Sequence, residues 1–420
     1  MNKKRVLRIC AFALFLSLLL ISLNSCFALK KDDSYMTRAE IEKYLEGKLL
    51  GNVTVEGGDN YNVNIELDGG SWDIVAAAKS LLSSVSVFCT FNGRETVFGS
   101  AEDDYSAGSG VIYKMNKSNG DAYIITNYHV VYNSDADNKS GIADEIIITL
   151  YGQESATYAI PATYVGGSME YDLAVLRIKG SRVLAESAAV AAEFADSGEL
   201  SVLDTAIAVG NAEGEGISAT VGHVNVDSEY IDILGSDGKT MINLRVIRTD
   251  AAVNSGNSGG GLFNDRGQLI GLVNAKMMTY EVDNIGYAIP SNVVRYIADN
   301  ILYYCLGTSR TSVYKCMLGI TVSAKESYVD YDTSSGRVFK REVVEIASVD
   351  AKSDAEGLLQ KGDIINSITI DGVVYSVDRI YKVVDSMLNA RVGSVVVINV
   401  TRGSESVNVT VPITSATPVK

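Results

Sequence analysis

The sequence predicts a mainly β protein, with a β-barrel region followed by a smaller α+β domain. Residues 85 to 289 consist of short apolar runs separated by glycine, asparagine and aspartate, which is typical of β-sandwiches and barrels. The regular strand and helix alternation of a parallel α/β sheet is missing from this region. At 420 residues the chain is longer than one ordinary domain, and a second pattern of strands with a helix begins near residue 316.

Ten runs define the predicted strands of the barrel region: residues 85–91, 110–113, 122–127, 145–151, 173–178, 205–209, 222–226, 243–249, 269–273 and 286–289. A helix is predicted to begin after Ser71 and another to span residues 291–304. In the second domain we expect strands at 318–322, 343–349, 364–370 and 395–401, and a helix at 376–388. We therefore assign 71–303 to the barrel domain, 304–315 to a linker, 316–414 to the second domain and 415–420 to a frayed tail.

The first 26 residues have the pattern of a secretion signal. A basic segment, an apolar run over residues 9–23 and the sequence Leu23-Asn24-Ser25-Cys26 follow one another. The last four residues resemble a bacterial lipobox, in which the cysteine is acylated, so Cys26 is the predicted lipidation site. An uncleaved anchor and ordinary cleavage after Ala28 stay open. All three alternatives place the body of the protein outside the cytoplasm, and the first two attach it to the membrane.

Three further elements are predicted within residues 27–70. A polar tether comes first, and a short amphipathic helix then begins at Thr37-Arg38-Ala39-Glu40, which has capping-box spacing. Alternating apolar residues over 51–70 predict a small hairpin. No function follows from these elements.

Composition narrows the partners and cofactors. The formal net charge is -15, which argues against a nucleic-acid partner because phosphate binding relies on clustered lysine and arginine. Cys89, Cys305 and Cys316 remain after the signal, and an odd number cannot all pair. A Cys305–Cys316 bridge and buried free thiols both stay open. No spacing of cysteine or histidine suggests zinc, and neither a metal nor a cofactor is expected.

The most informative stretch is Gly256-Asn257-Ser258-Gly259-Gly260, which apolar sequence flanks on both sides. The glycines allow a tight turn that would present Ser258 at its tip. Such a turn can also aim backbone N–H groups at one point, as an oxyanion hole requires. A simple glycine-rich hairpin explains the same pattern, so residues elsewhere in the chain must show whether Ser258 is a nucleophile.

A nucleophilic serine needs a base and a carboxylate that orients the base. The chain has two histidines. His129 stands at the end of an apolar strand, whereas His223 lies within a strand-like run and is interpreted as a barrel-wall or surface residue. Asp172 opens an apolar strand, where a carboxylate must find a partner. We therefore predict His129 as base, Asp172 as orienting acid and Ser258 as nucleophile.

Chain order separates the serine hydrolase architectures. The sequence around Ser258 also fits the G-x-S-x-G elbow of α/β-hydrolases, but those enzymes place the histidine after the serine. No histidine follows Ser258. The order His129, Asp172, Ser258 on a β scaffold is that of chymotrypsin-type enzymes.

Residues 71 to about 412 resemble the HtrA (DegP/DegS-like) family of trypsin-fold serine proteases with one C-terminal PDZ domain. The matching blocks are Ser109-Gly110-Val111-Ile112, Thr126-Asn127-Tyr128-His129-Val130-Val131, Asp172-Leu173-Ala174-Val175-Leu176, Ala208-Val209-Gly210-Asn211, Thr249-Asp250-Ala251-Ala252-Val253-Asn254, Gly256-Asn257-Ser258-Gly259-Gly260 and Ile285-Gly286-Tyr287-Ala288-Ile289-Pro290. The resemblance implies a chymotrypsin/trypsin-like double β-barrel, with six strands in each barrel and the catalytic residues in the cleft between them.

The resemblance also implies roles for individual residues. The backbone N–H groups of Gly256, Asn257 and Ser258 would form the oxyanion hole. Ala252, six residues before the serine, would form the floor of the S1 pocket. Because it has no charge, we expect cleavage after small or medium aliphatic residues.

Two positions depart from the family pattern. Ser255 and Gly261 stand where the family usually has proline. We expect both changes to loosen the backbone near the oxyanion hole and to favour an inactive form at rest.

The C-terminal domain resembles an HtrA-type PDZ domain. Leu318, Gly319 and Ile320 would hold the carboxylate of an extended C-terminal peptide. Unfolded or misfolded proteins are the implied substrates, and a homotrimer is the implied assembly. Three alternatives are weighed against this exported endopeptidase: a catalytically silent PDZ adaptor or chaperone, a conventional secreted protease, and a PDZ domain that acts only as a spacer.

Overall fold

The computed structural model describes residues 51–56, 62–67, 72–93, 95–96, 99–100, 102–275 and 285–419. The signal with Cys26, the tether and the helix predicted near residues 37–49 lie outside these ranges. The hairpin predicted at 51–70 has two described strands, β1 (Gly51–Glu56) and β2 (Asn62–Leu67), which pair antiparallel.

The first barrel closes from six antiparallel strands after helix α1 (Trp72–Ser83). Its strands are β3 (Ser84–Phe91), β6 (Asp104–Asn116), β7 (Asp121–Thr126), β8 (Glu145–Leu150), β9 (Ile160–Ser168) and β10 (Leu173–Ile178), in the order β10-β7-β6-β3-β8-β9. Short strands β4 (Glu95–Thr96) and β5 (Gly99–Ser100) form a small hairpin between β3 and β6. Helices α2 (Tyr128–Val131) and α3 (Arg182–Glu186) follow β7 and β10.

The second barrel also closes from six antiparallel strands. These are β11 (Thr205–Gly210), β12 (Ser218–Leu234), β13 (Met241–Thr249), β14 (Gly261–Phe263), β15 (Leu269–Val273) and β16 (Gly286–Pro290), in the order β11-β12-β13-β16-β15-β14. Three-residue 3-10 turns occur at Ala156–Tyr158, Ser197–Glu199 and Ala212–Gly214. The predicted double β-barrel is therefore confirmed, although strands β9 and β14 were not predicted.

Helix α4 (Ser291–Cys305) follows the second barrel and contacts strands of both barrels. Its residues Val294, Ile297 and Ile301 are fully buried and recur at helical spacing, which gives the helix one continuous apolar face. They share a core with Phe263 of β14 and Val175 of β10. The two barrels consequently share one hydrophobic core.

The linker and the C-terminus are paired with each other. Strand β17 (Val313–Lys315) forms an antiparallel ladder with β24 (Thr417–Val419), and the Gly167 N–H of the first barrel donates to Thr311 O at 2.9 Å. Val419 is buried against the core. The prediction of a frayed tail at 415–420 is therefore wrong for 417–419, because the linker supplies an unpaired strand edge to which this segment adds.

The C-terminal domain is a sheet with one helix across it. Its elements are β18 (Ile320–Asp332), β19 (Arg337–Val349), β20 (Ile364–Ile370), β21 (Val373–Ser376), α5 (Ile380–Met387), β22 (Val395–Arg402) and β23 (Glu405–Pro412). The strand order is β18-β19-β20-β22-β23, and β21 pairs with β20. The long β18–β19 hairpin exceeds the predicted strands because its outer half is mostly exposed and lacks their apolar pattern.

Charged contacts join this domain to the second barrel. Arg245 of β13 forms an ion pair with Asp385 of α5 in an almost fully buried position, and Arg379 Nη1 lies 2.8 Å from Asp227 Oδ2 of β12. Ser201 Oγ also donates to Val338 O at 3.0 Å. Breaking the Arg245–Asp385 pair would leave an uncompensated buried charge. This pair therefore favours the observed contact between the two domains.

The described part of the chain contains three cysteines, all buried and all unpaired: Cys89, Cys305 and Cys316. The Cys305–Cys316 bridge left open above is thus not formed. Burial raises the pKa of Cys89 to about 12 and that of Cys305 to about 11, so both thiols stay protonated at neutral pH. Within the described ranges, no helix combines the length and the apolarity that crossing a membrane demands.

Candidate active site

The first barrel brings His129 and Asp172 together. His129 lies in α2, the single helical turn directly after β7, and Asp172 lies directly before β10, the strand that pairs with β7. The His129 Nδ1 atom is 2.7 Å from Asp172 Oδ2, and the His129 backbone N–H donates to Asp172 Oδ1 at 3.0 Å. This double contact fixes the ring through Nδ1 and leaves Nε2 to act as the base.

Asp172 is held in place by more than the histidine. It is 2% exposed, and its backbone has φ of 46°, a left-handed conformation that costs free energy for a residue with a side chain. Asn127 Nδ2 donates to the Asp172 carbonyl at 2.9 Å, and Asn274 Nδ2 donates to Asp172 Oδ2 at 2.7 Å. The carboxylate therefore accepts three hydrogen bonds, one of which crosses from the second barrel.

The second barrel places the Ser258 turn against the helix that carries His129. The Ala275 N–H, just after β15, donates to Ser258 Oγ at 3.1 Å. A Cβ built on Gly108 would lie 2.8 Å from Val130 Cγ2 and 3.0 Å from Ser258 O, so the serine turn abuts the helix that carries His129. Among the described residues, Ser258 Oγ makes no hydrogen bond with His129; such bonds are often long before substrate binds.

Ser109 of β6 joins the first barrel to this turn. Its N–H donates to Ser258 O at 2.8 Å, and its hydroxyl donates to Gly256 O at 2.7 Å. The same hydroxyl accepts from Asn211 N at 2.7 Å. Thr126 Oγ1 in turn donates to the Ser109 carbonyl at 2.7 Å. One fully buried side chain thus links β6, the serine turn and the end of β11.

The peptide between Ser255 and Gly256 has a defined orientation. The Glu213 N–H donates to Ser255 O at 2.8 Å. Because C=O and N–H point in opposite directions across a trans peptide, the Gly256 N–H is directed away from Glu213. Gly256 has φ of 90°, and a Cβ there would lie 2.2 Å from Asn211 O, so only glycine fits.

The N–H groups of Gly256 and Ser258 donate to no protein acceptor within the described ranges, as an oxyanion hole awaiting substrate requires. Asn257 was expected to contribute a third donor. Its N–H instead donates to Asn254 O at 3.0 Å, closing the turn itself. Asn257 is therefore unavailable to an oxyanion, and the candidate hole consists of Gly256 and Ser258.

The expectation that Ser255 and Gly261 loosen this region stays a prediction, but both residues have defined contacts. The Ser255 carbonyl is engaged by Glu213, and Gly261 opens β14, where it pairs with Val209 on one side and Leu272 on the other. A Cβ on Gly261 would lie 2.2 Å from Phe263 Cε2. Glycine at this position makes room for the aromatic ring.

The remaining predicted residues lie as follows. Ala252 is exposed before the serine turn, and Thr220 Oγ1 donates to its carbonyl at 2.7 Å. His223 is exposed on β12, away from the Asp172 contacts. Gly319 has φ of 72° between buried Leu318 and the first residue of β18.

Sequence reasoning missed Asn274 and the linking role of Ser109. Asn274 follows the predicted strand 269–273 directly, but a single amide after a strand has no distinctive pattern. Ser109 lies in one of the blocks that match the family, but nothing in the sequence indicates that its side chain links the two barrels. Only the fold brings these side chains, which are remote in sequence, to Asp172 and Gly256.

Two closed six-stranded barrels, with an Asp–His pair from one and a glycine-framed serine from the other, define the class of trypsin-fold serine peptidases. A family model described as a trypsin-like peptidase domain matches residues 108–272. The solved structure of an HtrA-type protease, AlgW with a tripeptide, is similar, with a TM-score of 0.50 and 25% identity, over 84% of this chain and 99% of that chain.

The chain belongs to the HtrA family of serine proteases. The serine protease Do-like HtrA of Lactobacillus helveticus is 30% identical over 318 residues, which cover 74% of this chain and 69% of that protein. The protein of the same name from Bacillus subtilis (strain 168) is 40% identical over 217 residues, covering 50% and 43%. Like that match, the first curated relatives align over about half of their own length.

The Asn274 contact leads to the first prediction. Replacing Asn274 by alanine removes one of three donors to a buried carboxylate, so the His129 ring loses part of its fixed orientation. We expect kcat for a peptide substrate to fall about 10- to 100-fold, with little change in KM. Asn243→Ala, on the exposed β12–β13 hairpin, is the matched control and should keep the unmutated rate. An Asn274→Ala protein that melts normally and keeps its full kcat would contradict this role.

Proposed function

We propose that this protein is an exported, membrane-tethered serine endopeptidase of the HtrA type that cleaves misfolded or signal-exposing envelope proteins. One observation carries the proposal: Asp172 holds His129 on the helix that abuts the Ser258 turn, and the Gly256 and Ser258 N–H groups of that turn have no acceptor among the described residues. Membership of a serine protease family supports the same activity.

The proposed chemistry is acyl transfer through Ser258. The Ser258 hydroxyl attacks the scissile carbonyl carbon while His129 Nε2 accepts its proton, and Asp172 stabilises the resulting imidazolium. The Gly256 and Ser258 N–H groups bind the oxyanion; losing one such donor typically costs about 100- to 1,000-fold in rate. His129 then gives the proton to the departing amine. Water, activated by the same base, hydrolyses the acyl-enzyme.

Specificity for the residue on the acyl side is assigned to Ala252. Ala252 supplies no carboxylate to pair with a lysine or arginine side chain, so neither cation gains an ion pair there. We therefore propose cleavage after small or medium aliphatic residues.

The C-terminal domain is proposed to be a PDZ domain that binds C-terminal peptides. Strand β18 lies at the edge of its sheet, and an edge strand can pair with an added peptide. The left-handed Gly319 turns the chain directly before β18. In the described hydrogen bonds the N–H groups of Leu318 and Gly319 make no donation to the protein, which leaves them available to a terminal carboxylate.

Regulation by peptide binding is proposed to act through the second barrel. Asp385 and Arg379 lie in or beside α5, the helix that crosses the sheet, and they contact Arg245 and Asp227. The same barrel carries the serine turn. A peptide that shifts α5 against β18 would therefore alter contacts to the barrel that holds Gly256. A homotrimer, as the family resemblance implies, belongs to this proposal as well.

Casein digestion tests the activity. Protein lacking residues 1–26 should digest casein, and mass spectrometry of the fragments should place small or medium aliphatic residues before the cleaved bonds. Ser258→Ala should lower turnover on the order of a million-fold. Adding a peptide with a free C-terminal carboxylate should raise the rate, whereas its amidated form should not.

The alternatives predict different results. If the unmutated protein does not digest casein but still binds C-terminal peptides, the result would favour a catalytically silent adaptor over an enzyme. Equal digestion by Ser258→Ala would remove Ser258 from the mechanism. If the free-carboxylate and amidated peptides have the same effect on the rate of casein digestion, the result would favour a C-terminal domain that acts only as a spacer.

Acylation at Cys26 is tested separately. We expect the full-length chain, expressed in a bacterium, to incorporate labelled fatty acid and the Cys26→Ser variant to lose the label. Cys10→Ser, within the apolar part of the signal, is the matched control and should retain it. Undiminished labelling of Cys26→Ser would rule out acylation at this residue.

A further inference from the structure

A recess bordered by both barrels lies beside the serine turn. It has a volume of about 720 Å³ and is bounded by Ser86 and Phe88 of β3, by Glu154 and by the segment 211–218 that joins β11 to β12. Asn254, four residues before Ser258, also lines it. We call this recess the β3 cleft.

A buried hydroxyl at the β3 cleft lacks a partner. Ser86 is fully buried, and its Oγ atom makes no hydrogen bond within the described chain. Thr149, directly opposite Ser86 in the β3–β8 ladder, also has an unpartnered hydroxyl. Buried hydroxyls are normally hydrogen-bonded, so the Ser86 hydroxyl in the cleft lining has unused hydrogen-bonding capacity.

The mouth of the β3 cleft is acidic. Glu154, Glu213 and Glu215 line it and are exposed. In the part of the chain that the structure describes, none of these three carboxylates forms an ion pair. Phe88 adds an apolar wall that is 36% exposed. An aliphatic stem along this ring with a cation among the carboxylates is the arrangement that lysine and arginine adopt.

The position of the cleft relates it to the scissile bond. Ser86 pairs with Ser109 in the β3–β6 ladder, and Ser109 bonds to Gly256 and Ser258. Ala252 is the residue proposed above for the acyl side, and the Ala275 N–H, just after β15, donates to Ser258 Oγ. The lining of the β3 cleft includes Asn254 but not Ala252, and the N–H of Glu213, in its wall, donates to Ser255 O. Because Ala252 is assigned to the acyl side, we assign the cleft to the residues that follow the scissile bond.

We propose that the β3 cleft is a substrate subsite that accepts a lysine or arginine side chain located on the leaving-group side of the scissile bond. The side-chain stem packs on Phe88, and the cation lies among Glu154, Glu213 and Glu215, in a cleft whose lining includes the unpartnered Ser86 hydroxyl. This inference rests on the proposed peptidase function and adds a second specificity element to the neutral pocket at Ala252.

Matched peptides test the subsite. Internally quenched peptides would share valine before the scissile bond and carry lysine, methionine or glutamate at one of the first three positions after it. For protein lacking residues 1–26, we expect lysine to exceed methionine about two- to fivefold in kcat/KM at one position. The preference should weaken with added salt, since the carboxylates are exposed.

Variants locate the effect. Glu154→Gln/Glu215→Gln should bring the lysine-to-methionine ratio towards one, and Glu154→Lys/Glu215→Lys should favour glutamate. Glu405→Gln, which removes an exposed charge from β23 of the C-terminal domain, is the control and should keep the unmutated ratio. A lysine preference that survives both double variants would overturn the assignment to this cleft.

A binding measurement separates this proposal from the proposed activity. Fluorescence anisotropy with Ser258→Ala and the same peptides needs no chemistry. Tighter binding of the lysine peptide, lost in Ser258→Ala/Glu154→Gln/Glu215→Gln, supports the subsite even if no peptide is cleaved, and absent cleavage then counts only against the peptidase function. Equal affinity for lysine and methionine peptides would overturn the subsite, whether or not cleavage occurs.

Discussion

The site depends on one buried serine that connects the two barrels. Ser109 belongs to the first barrel, yet its hydroxyl and N–H bond to Gly256 and Ser258 of the second. Because these contacts are fully buried, water cannot replace them, and losing a partner would leave desolvated carbonyls. Together with the Asn274 contact to Asp172, they hold base, acid and nucleophile in one frame, although these groups come from separate barrels. A pre-organised site of this kind is what acyl transfer requires.

Much of the fold could be predicted because its strands are apolar runs with clear ends. The strands at 173–178 and 269–273 match the predicted bounds. Strand β14 was missed because three residues that begin with glycine carry no periodic signal. The β17–β24 ladder was missed for another reason: Thr417–Val419 has little pattern of its own and forms a strand only because the linker offers an edge.

The candidate site was predictable where residue types are scarce and less so where backbone geometry decides. The scarcity of histidine led to His129, and a carboxylate at the start of an apolar strand led to Asp172; the structure brings these two side chains together. Sequence could not show that the Asn257 N–H closes the turn, nor that Gly261 makes room for Phe263. In a sequence, a glycine suggests backbone flexibility. In a packed strand, glycine can instead be required because a neighbouring side chain occupies the space that a Cβ would fill. The same limit applies to the β3 cleft, whose residues are far apart in the chain.

The central claim is that Ser258 is an activated nucleophile in the resting protein, with the Gly256 and Ser258 N–H groups already available. Treatment with a fluorophosphonate, followed by mass spectrometry of the intact protein and its digest, tests this most directly. Without any added peptide, the account predicts a single adduct on Ser258 that is lost in His129→Ala. An unmodified Ser258 in the unmutated protein, or equal modification in His129→Ala, would contradict it.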